Sequence, residues 1–398
     1  MKKNGLNKDT LLTHTGRGAD WRLVNTPVAR ASTVLHASLA DYEASWHADR
    51  FAGLSYGLHG TQTAFALQDA LSELEGCHRA ILVPSGLAAI TVALLACVKS
   101  GDHVLVADCA YGPARKFCDE YLTRFGVTTT YFDPALSMRA DADAQLAALM
   151  QPNTRVVFCE APGSLTFEMQ DIPAIAVVAH RHDVAVLMDN TWATPYFFDA
   201  LAHGVDISIQ AATKYFGGHS DIIMGSIATT ERWWRPVRDI VADYGFAVSP
   251  DDCYLALRGL RTLGVRLKAH QAGAMLVARW LQQRPEVARV LYPALGSDPG
   301  HAIWRRDFTG ASGLFGVELK AISRTALAAF VDSLKLFGIG ASWGGYESLI
   351  VPARFTRTAS ASAFSGPLIR LHIGLEDPQD LIADLERGFV EMGKAEAR

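Results

Sequence analysis

Cysteine is scarce in this 398-residue sequence, and none of its six cysteines forms a C-x-x-C pair. The six are Cys77, Cys97, Cys109, Cys118, Cys159 and Cys253. A chain of this length can bury a sizeable apolar core, so it does not need disulfides in order to fold. We therefore interpret the cysteines as reduced thiols and expect a cytoplasmic protein.

An excess of one charge and a long apolar run are also missing. The 37 Lys and Arg residues nearly balance the 41 Asp and Glu residues, which provides no basic surface for a nucleic acid or an anionic membrane. The longest apolar run, residues 87–98, is shorter than the roughly 20 residues that span a membrane. Residues 1–12 contain lysines but no apolar segment follows them, so we expect no secretory signal. The expected partner is a small molecule.

The common nucleotide-binding motifs do not occur either. No G-x-G-x-x-G follows a strand-like run, and the P-loop pattern G-x-x-x-x-G-K-[ST] is missing, so a Rossmann dinucleotide site and a P-loop are both disfavoured. Among the histidines, only His180 and His182 lie close together, and residues two apart do not share a helix face. The sequence therefore predicts no metal site.

One hydrolase motif does occur. Residues 340–344 match the pattern G-x-S-x-G, and Glu347 and His372 follow in the chain order that an α/β-hydrolase uses. The motif requires a helix directly after the serine, and Gly345 disfavours one. A serine hydrolase built on Ser342 therefore remains only an alternative.

Seven strand-like apolar runs alternate with helical patterns over residues 60–230. The runs are residues 80–83, 103–107, 127–132, 155–160, 184–189, 205–210 and 222–228. The helical patterns between them are residues 86–99, 113–125, 140–150 and 172–182. This alternation predicts an α/β fold with a mostly parallel seven-stranded sheet that is covered by helices on both faces.

The pattern changes before and after this region. Residues 1–60 show little periodicity, so we expect an N-terminal arm that packs on another subunit. Residues 252–283 read as one long helix, and a mixture of strands and helices follows. We therefore divide the chain into the arm, an α/β domain at residues 61–252 and a smaller C-terminal α+β domain at residues 253–398.

A lysine follows the run 205–210 at the end where open α/β sheets bind their ligands. This residue, Lys214, comes after a strand of small and apolar residues, so we expect it to be partly desolvated. A desolvated lysine has a lowered pKa and can form a Schiff base with a carbonyl cofactor. The alternative is a lysine that extends from the strand end into solvent.

Other predicted strand ends carry residues of matching chemistry. Asp189 ends its run and could keep a pyridine nitrogen protonated, while Tyr111 could stack on a flat ring. Ser85 and Gly86 precede an apolar helix whose N-terminus could bind a phosphate. Arg370, in an alternating run near the C-terminus, could bind a carboxylate through two hydrogen bonds. Together these positions favour a pyridoxal phosphate (PLP) site.

Residues 211–221, Ala-Ala-Thr-Lys-Tyr-Phe-Gly-Gly-His-Ser-Asp, resemble the Schiff-base motif of the PLP-dependent Cys/Met metabolism (transsulfuration) family. Further matches in family order are Tyr56-Gly57 with Gly60-Thr61, Pro84-Ser85-Gly86, Ala110-Tyr111, residues 188–192 and residues 258–266. Residues 342–349 and 370–376 are similar to the proteobacterial β-lyases of this family that act on cystathionine. Relatives that act at the γ-carbon tend to have Leu where Trp343 stands.

The resemblance implies the aminotransferase-like PLP fold type I and a set of cofactor contacts. Lys214 would carry the Schiff base and then move the substrate's α-proton, with Asp189 at the pyridine nitrogen and Tyr111 on the ring. The implied phosphate ligands are Gly86, Leu87 and Thr213, together with Tyr56 from a neighbouring subunit. The α/β domain would thus be the PLP-binding domain.

The same resemblance implies a substrate site and a reaction. Arg370 and Ser342 would bind the substrate α-carboxylate, with Trp343 as a wall and Tyr56 reaching in from the neighbouring subunit of a homotetramer of active dimers. The implied reaction is the α,β-elimination of L-cystathionine to homocysteine, pyruvate and ammonia. The alternatives are a lyase for cystine or cysteine and a γ-acting transsulfuration enzyme.

Three positions depart from the family pattern. Many members have Arg where Leu58 stands, and that Arg reaches the phosphate from the adjacent subunit; His59 is the nearby polar residue here. Ala211 stands where relatives often have Ser. Arg115 and Lys116 make the segment after Tyr111 more basic than expected, which predicts a basic distal pocket and a changed substrate preference.

Overall fold

The structure is a computed structural model that describes residues 5–17, 22–45, 51, 53–360 and 364–397. Its α-helices are α1 (Lys8–His14), α2 (Leu39–Ser45), α3 (Gln62–Glu75), α4 (Gly86–Cys97), α5 (Gly112–Lys116), α6 (Ala142–Leu149), α7 (Ile172–Arg181), α8 (Thr194–Phe197), α9 (Glu231–Asp243), α10 (Pro250–Arg261), α11 (Leu263–Leu281), α12 (His301–Asp307), α13 (Arg324–Ser333) and α14 (Pro378–Glu396). Its strands are β1 (Arg79–Val83), β2 (His103–Ala107), β3 (Thr128–Phe132), β4 (Thr154–Glu160), β5 (Ala185–Asp189), β6 (Ile207–Gln210), β7 (Gly225–Thr229), β8 (Val287–Leu291), β9 (Leu314–Leu319), β10 (Gly338–Ile339), β11 (Leu349–Pro352) and β12 (Leu368–His372).

The first sheet has seven strands in the order β1-β7-β6-β5-β4-β2-β3. Only β7 runs antiparallel to its neighbours within this sheet, and the other pairs are parallel. Every residue of β2, β6 and β7 is buried, as expected for strands covered on both faces. These observations confirm the predicted mostly parallel sheet of seven strands.

The carboxyl ends of the parallel strands meet at one edge of this sheet. The last residues of β4 and β5, Glu160 and Asp189, are register partners there. At the same edge α4 begins, and the Ser85 hydroxyl accepts a hydrogen bond from the Ala88 N–H, as an N-cap residue does. One edge therefore gathers two carboxylates and a helix N-terminus.

Two predicted helices differ from the structure. The single helix expected over residues 252–283 is broken at Thr262, which joins α10 to α11 with φ −111° and ψ 7°. The Thr262 hydroxyl lies 3.3 Å from the Gly259 carbonyl, a local bond that competes with regular helix geometry. The helix expected over residues 113–125 is α5 followed by a π-helical turn and a 3-10 turn.

The second sheet has five strands in the order β10-β11-β12-β9-β8. In its central strand β12, Arg370 is flanked by Val351 of β11 and Gly316 of β9. Helices α13 and α14 pack together beside this sheet. The division of the chain at residues 60 and 252 stays a prediction.

Parts of the first 60 residues are helical rather than extended. Helix α1 docks on the chain's own core: Leu12 is buried, and the Lys8 ammonium lies 2.7 Å from the Asp199 carboxylate. Residues 1–4, 18–21, 46–50 and 52 of the predicted arm lie outside the described residues. Among the described helices, none combines the length and the apolar character needed to cross a membrane.

Candidate active site

A cavity of about 1210 Å³ opens at the carboxyl edge of the first sheet, and residues of both sheets line it. The structure brings nine of the ten predicted site residues to its wall: Gly86, Leu87, Tyr111, Asp189, Thr213, Lys214, Ser342, Trp343 and Arg370. The tenth, Tyr56, is 47% exposed and does not line the cavity of its own chain. Its predicted role from a neighbouring subunit stays a prediction.

Lys214 lies in the turn that follows β6. Its backbone N–H donates to the Ala211 carbonyl, and its Nζ donates to Ser342 Oγ at 2.6 Å. Nζ also lies 5.2 Å from the centre of the Trp343 ring. Burial and the nearby Arg370 cation disfavour the ammonium form and lower the pKa of Lys214 to about 8, although Asp189 acts in the opposite direction. The neutral, nucleophilic amine is therefore more accessible near neutral pH than in an ordinary lysine.

Two residues without a predicted role hold the backbone of this turn. The buried guanidinium of Arg266 donates to the Tyr215 carbonyl and to the Gly259 carbonyl, both at 2.8 Å. Gly344 has φ +90°, and a Cβ there would lie 3.0 Å from the backbone of Lys214. Arg266 and Gly344 both belong to segments that carry the family resemblance. Only the tertiary contacts reveal that they support the Lys214 turn.

Asp189 is a partly buried carboxylate beside a second one. Its Oδ1 accepts the Thr191 N–H at 3.0 Å, and desolvation raises its pKa, while the Lys214 charge opposes the rise. Desolvation and the charge of Asp189 raise the pKa of Glu160 well above its ordinary value. Sequence reasoning missed Glu160, although its position at the end of the strand run 155–160 was the available signal.

Tyr111 is placed differently from the prediction. β2 ends at Ala107, so Tyr111 is not at a strand end but is the residue that precedes α5. The chain turns there because the Tyr111 N–H donates to Glu160 Oε2 at 2.7 Å. Burial raises the pKa of the phenol, and the charges of Glu160 and Asp189 add to the rise. The ring is 43% exposed on the cavity side of the sheet edge.

The N-terminus of α4 approaches the Lys214 turn closely. A Cβ on Gly86 would lie 2.5 Å from the Cβ of Ala211, so only glycine fits there. The amides of Gly86 and Leu87 belong to the first helical turn, whose N–H groups have no carbonyl partner within the helix. Thr213 also lines the cavity, but its hydroxyl is hydrogen-bonded to the backbone of Met224. A free hydroxyl at Thr213 is therefore not present in this structure.

Arg370 and Ser342 form one unit at the other side of the cavity. Arg370 Nη2 donates to the Ser342 carbonyl at 2.9 Å, and Ser342 has φ +73°. This serine lies in the loop between β10 and β11, with no helix after it. His372 Nε2 lies 3.2 Å from both the Gly344 nitrogen and the Gly345 oxygen, away from the Ser342 hydroxyl, which bonds to Lys214. This geometry contradicts the hydrolase alternative.

A family model described as Cys/Met metabolism PLP-dependent enzyme matches residues 9–390. The chain belongs to this family. It is 45% identical over 397 residues to cystathionine beta-lyase MetC of Escherichia coli (strain K12), with 96% of this chain and 98% of that protein covered. It is 44% identical over 397 residues to a cystathionine beta-lyase of Salmonella typhimurium, again with 96% and 98% covered.

A solved structure confirms the fold. The crystal structure of metB from Corynebacterium glutamicum matches with a TM-score of 0.88 and 29% sequence identity over 98% of this chain and 99% of that one. The predicted PLP fold type I and the predicted cofactor are therefore correct, and the protein is a PLP-dependent carbon–sulfur lyase.

The described residues fit this cofactor. The partly buried Asp189, beside Glu160, lacks a nearby cation other than Lys214, so a protonated ring nitrogen would compensate it. The first-turn amides of α4 suit a phosphate, and Gly86 and Leu87 both line the cavity. Lys214 supplies the amine for attachment. PLP, when bound, supplies an electron sink for negative charge at the substrate α-carbon.

Proposed function

We propose that the protein catalyses the α,β-elimination of L-cystathionine to homocysteine, pyruvate and ammonia, with one water consumed. The observation that carries this proposal is the Lys214–Ser342–Arg370 unit: Nζ of Lys214 bonds to the Ser342 hydroxyl, and Arg370 bonds to the carbonyl of the same serine. Two relatives over nearly the whole chain are named cystathionine beta-lyases, which supports the same reaction.

Arg370 binds the α-carboxylate of the substrate amino acid. Its guanidinium is partly buried and has no carboxylate partner among the described residues, and its Nη2 donates to the Ser342 carbonyl. A partly desolvated cation without an anion favours a carboxylate ligand, and the fork of a guanidinium binds one through two hydrogen bonds. This contact orients the α-carbon toward Lys214.

Lys214 Nζ then moves the α-proton. Its lowered pKa, about 8, permits the neutral amine to accept a proton near neutral pH. The Ser342 hydroxyl at 2.6 Å holds Nζ on this side of the cavity, and Trp343 limits its movement. The electron pair freed at the α-carbon forms a double bond to the β-carbon and expels the thiolate, which takes the proton held by Lys214 Nζ and leaves as the thiol. The 2-aminoacrylate that remains is released and takes up one water to give pyruvate and ammonia.

The assembly is proposed to be a homotetramer of active dimers. Tyr56 and several large apolar side chains near the N-terminus are exposed in the single chain, among them Leu23, Leu35 and Leu39. Exposed apolar groups of this size are typical of surfaces that another subunit covers. Tyr56 would then enter the cavity of a neighbouring subunit and contact the cofactor phosphate and the substrate.

The direct test is Lys214→Ala, with Lys394→Ala on the exposed end of α14 as the matched control. We expect pyruvate release from cystathionine to fall at least about 10⁴-fold in Lys214→Ala, because this variant loses both the attachment point and the base. Borohydride should no longer fix the cofactor to the protein. The control should match the wild type.

Product analysis separates the reaction from its alternatives. Pyruvate with homocysteine supports β-elimination, whereas 2-oxobutanoate with cysteine contradicts it. Parallel assays of cystathionine, cystine and cysteine rank the substrates by kcat/KM. Undiminished pyruvate release by Lys214→Ala would refute the assigned base.

A further inference from the structure

Residues 354–360 cross from the second sheet to the carboxyl edge of the first, and the Asp108 carboxylate binds their backbone there. We call this stretch the crossing segment. The Asp108 carboxylate accepts the backbone N–H groups of Thr358 at 3.0 Å and of Ala359 and Ser360 at 2.9 Å. Asp108 itself is fully buried directly after β2. The segment is thus fixed against the cavity.

Arg115 ties helix α5 to the same point. Its Nη1 lies 2.7 Å from Asp108 Oδ1, and its Nη2 donates to the Thr358 hydroxyl at 3.2 Å. Its side chain is only 6% exposed. Arg115 is therefore neutralised by Asp108 and is not available to a ligand. The prediction of a basic distal pocket was wrong for Arg115. Its neighbour Lys116 lines the same cavity as the crossing segment.

Two other cations of the cavity wall, Arg354 and Lys116, are not neutralised by a close carboxylate. Arg354 lines the cavity, is exposed, and makes no hydrogen bond or ion pair with any described residue. Lys116 also lines the cavity; its Nζ is 3.9 Å from Glu120, and its side chain is 64% exposed. An exposed pair of this length contributes little, so Lys116 stays available to another anion. By contrast, Arg357 is held by Glu168 at 2.7 Å.

No carboxylate of the described residues forms an ion pair with Arg354, and Lys116 has only the long pair with Glu120. Elsewhere on the cavity wall, Asp119 accepts the Tyr131 hydroxyl at 2.7 Å, Glu347 accepts the Ser220 hydroxyl, and Asp221 is exposed. Val351, the register partner of Arg370, lies three residues before Arg354, so Arg354 stands beyond the α-carboxylate position along the same sheet.

We propose that Arg354, assisted by Lys116, forms a subsite for an anionic group on the departing thiol. The substrate class is then an L-cysteine thioether whose leaving thiol carries a carboxylate or a similar anion. This inference rests on the proposed function for its reaction: the carbon–sulfur bond breaks as described above, and the anionic group is bound but not changed. Arg370 and Arg354 would hold the two ends of the substrate.

The test compares two ligands that differ in charge but not in size. L-2-Aminopimelate and its ω-amide contain no carbon–sulfur bond, so they report binding alone through the visible spectrum of the PLP holoenzyme. We expect the wild type to bind the carboxylate about 10-fold more tightly than the amide. In Arg354→Met this ratio should fall to within about twofold, and in Lys116→Met to an intermediate value. Arg279→Met, at an exposed position of α11, is the matched control.

The corresponding thioethers, S-(2-carboxyethyl)-L-cysteine and S-(2-carbamoylethyl)-L-cysteine, test the reaction separately through pyruvate release. Selective binding of the carboxylate ligand, without pyruvate release from either thioether, would support the subsite but refute the proposed β-elimination. Pyruvate from both, with equal affinity of the wild type for the two aminopimelates, would overturn the subsite. A preference that survives unchanged in both Arg354→Met and Lys116→Met would overturn it as well.

Discussion

Two segments that line the same cavity are held in very different ways. The Lys214 turn is fixed by backbone bonds, by the buried Arg266 and by the close packing of Gly344. The crossing segment has two carboxylate anchors: Asp108 accepts three of its backbone N–H groups, and Glu168 lies 2.7 Å from Arg357. We infer that the reacting lysine is held mainly by contacts to its own backbone, whereas the crossing segment is held mainly by these two charges.

The largest expected effect comes from Gly344→Ala, which disturbs the Lys214 turn. A methyl group there would lie 3.0 Å from the backbone of Lys214, at a positive φ that L-residues disfavour. We expect kcat/KM for pyruvate release to fall about 100-fold, because an error of about 1 Å at the reacting group has this cost. Gly393→Ala is the matched control, since no atom lies within 4 Å of its added Cβ. Normal kinetics of Gly344→Ala would show that the turn tolerates movement.

Asp108→Asn should disturb the crossing segment and leave the Lys214 turn in place. The neutral amide keeps the size of the side chain but weakens its bonds to the crossing segment and to Arg115. We expect the carboxylate-to-amide binding ratio to fall about fivefold, while turnover of the amide thioether changes less than about threefold. A loss of both activities in proportion would contradict a separate role for the segment.

Asp108 also predicts a pH dependence of stability. Burial alone would raise the pKa of Asp108, but its hydrogen bonds from Thr358, Arg115 and Ser360 lower it below the ordinary value. A lowered folded-state pKa stabilises the fold above the unfolded-state pKa, about 3.9, and this contribution disappears as the pH falls toward the folded-state pKa. In urea unfolding, the difference in free energy between wild type and Asp108→Asn should therefore be largest near neutral pH and shrink below about pH 4. A difference that is independent of pH would contradict this account.

Arg370→Met should raise the pKa of Lys214, because it removes a neighbouring positive charge. Burial is the main cause of the lowered pKa of Lys214, and the Arg370 charge is the second. PLP attaches to the neutral amine, so attachment to the apoprotein should slow about 10-fold per pH unit below about 8 in the wild type. In Arg370→Met this profile should move to higher pH by up to about one unit. An unmoved profile would assign the lowered pKa to burial alone.

Glu160→Gln should have the smallest effect. Desolvation and the charge of Asp189 already disfavour the ionised form of Glu160, and the amide oxygen of Gln can still accept the Tyr111 N–H. We expect kcat/KM to change less than about threefold in Glu160→Gln, and about 10-fold or more in Glu160→Ala, which leaves that N–H without its acceptor. Equal losses in the two variants would show that the charge of Glu160 matters after all.

Much of the fold could be predicted because burial on both faces leaves a pattern in the chain. The runs that became β2, β4 and β5 are apolar throughout, and their order indicated a parallel sheet. The break at Thr262 could not be predicted in the same way. The helical pattern continues across it, and a local hydroxyl bond to Gly259 decides it.

The candidate site was partly predictable for a related reason. Lys214 and Asp189 follow or end strands whose carboxyl ends must share one edge, so strand order already places them together. Glu160 was missed because its position at a strand end is only a weak signal until the neighbouring strand, which ends in Asp189, is known. Asp108 and Arg115 were not paired because their bond depends on the turn between β2 and α5.

By itself the sequence determined the class of fold, the family and the reacting lysine, because these follow from local periodicity and from a contiguous motif. Only the tertiary structure decided which charges are free. Arg115 and Arg357 read the same as Arg354 in the chain, yet the first two are neutralised by Asp108 and Glu168, and Arg354 is not. The reason is physical: the availability of a charge depends on the carboxylates that folding brings within hydrogen-bond distance, whether they are seven residues away, as Asp108 is from Arg115, or 189 away, as Glu168 is from Arg357.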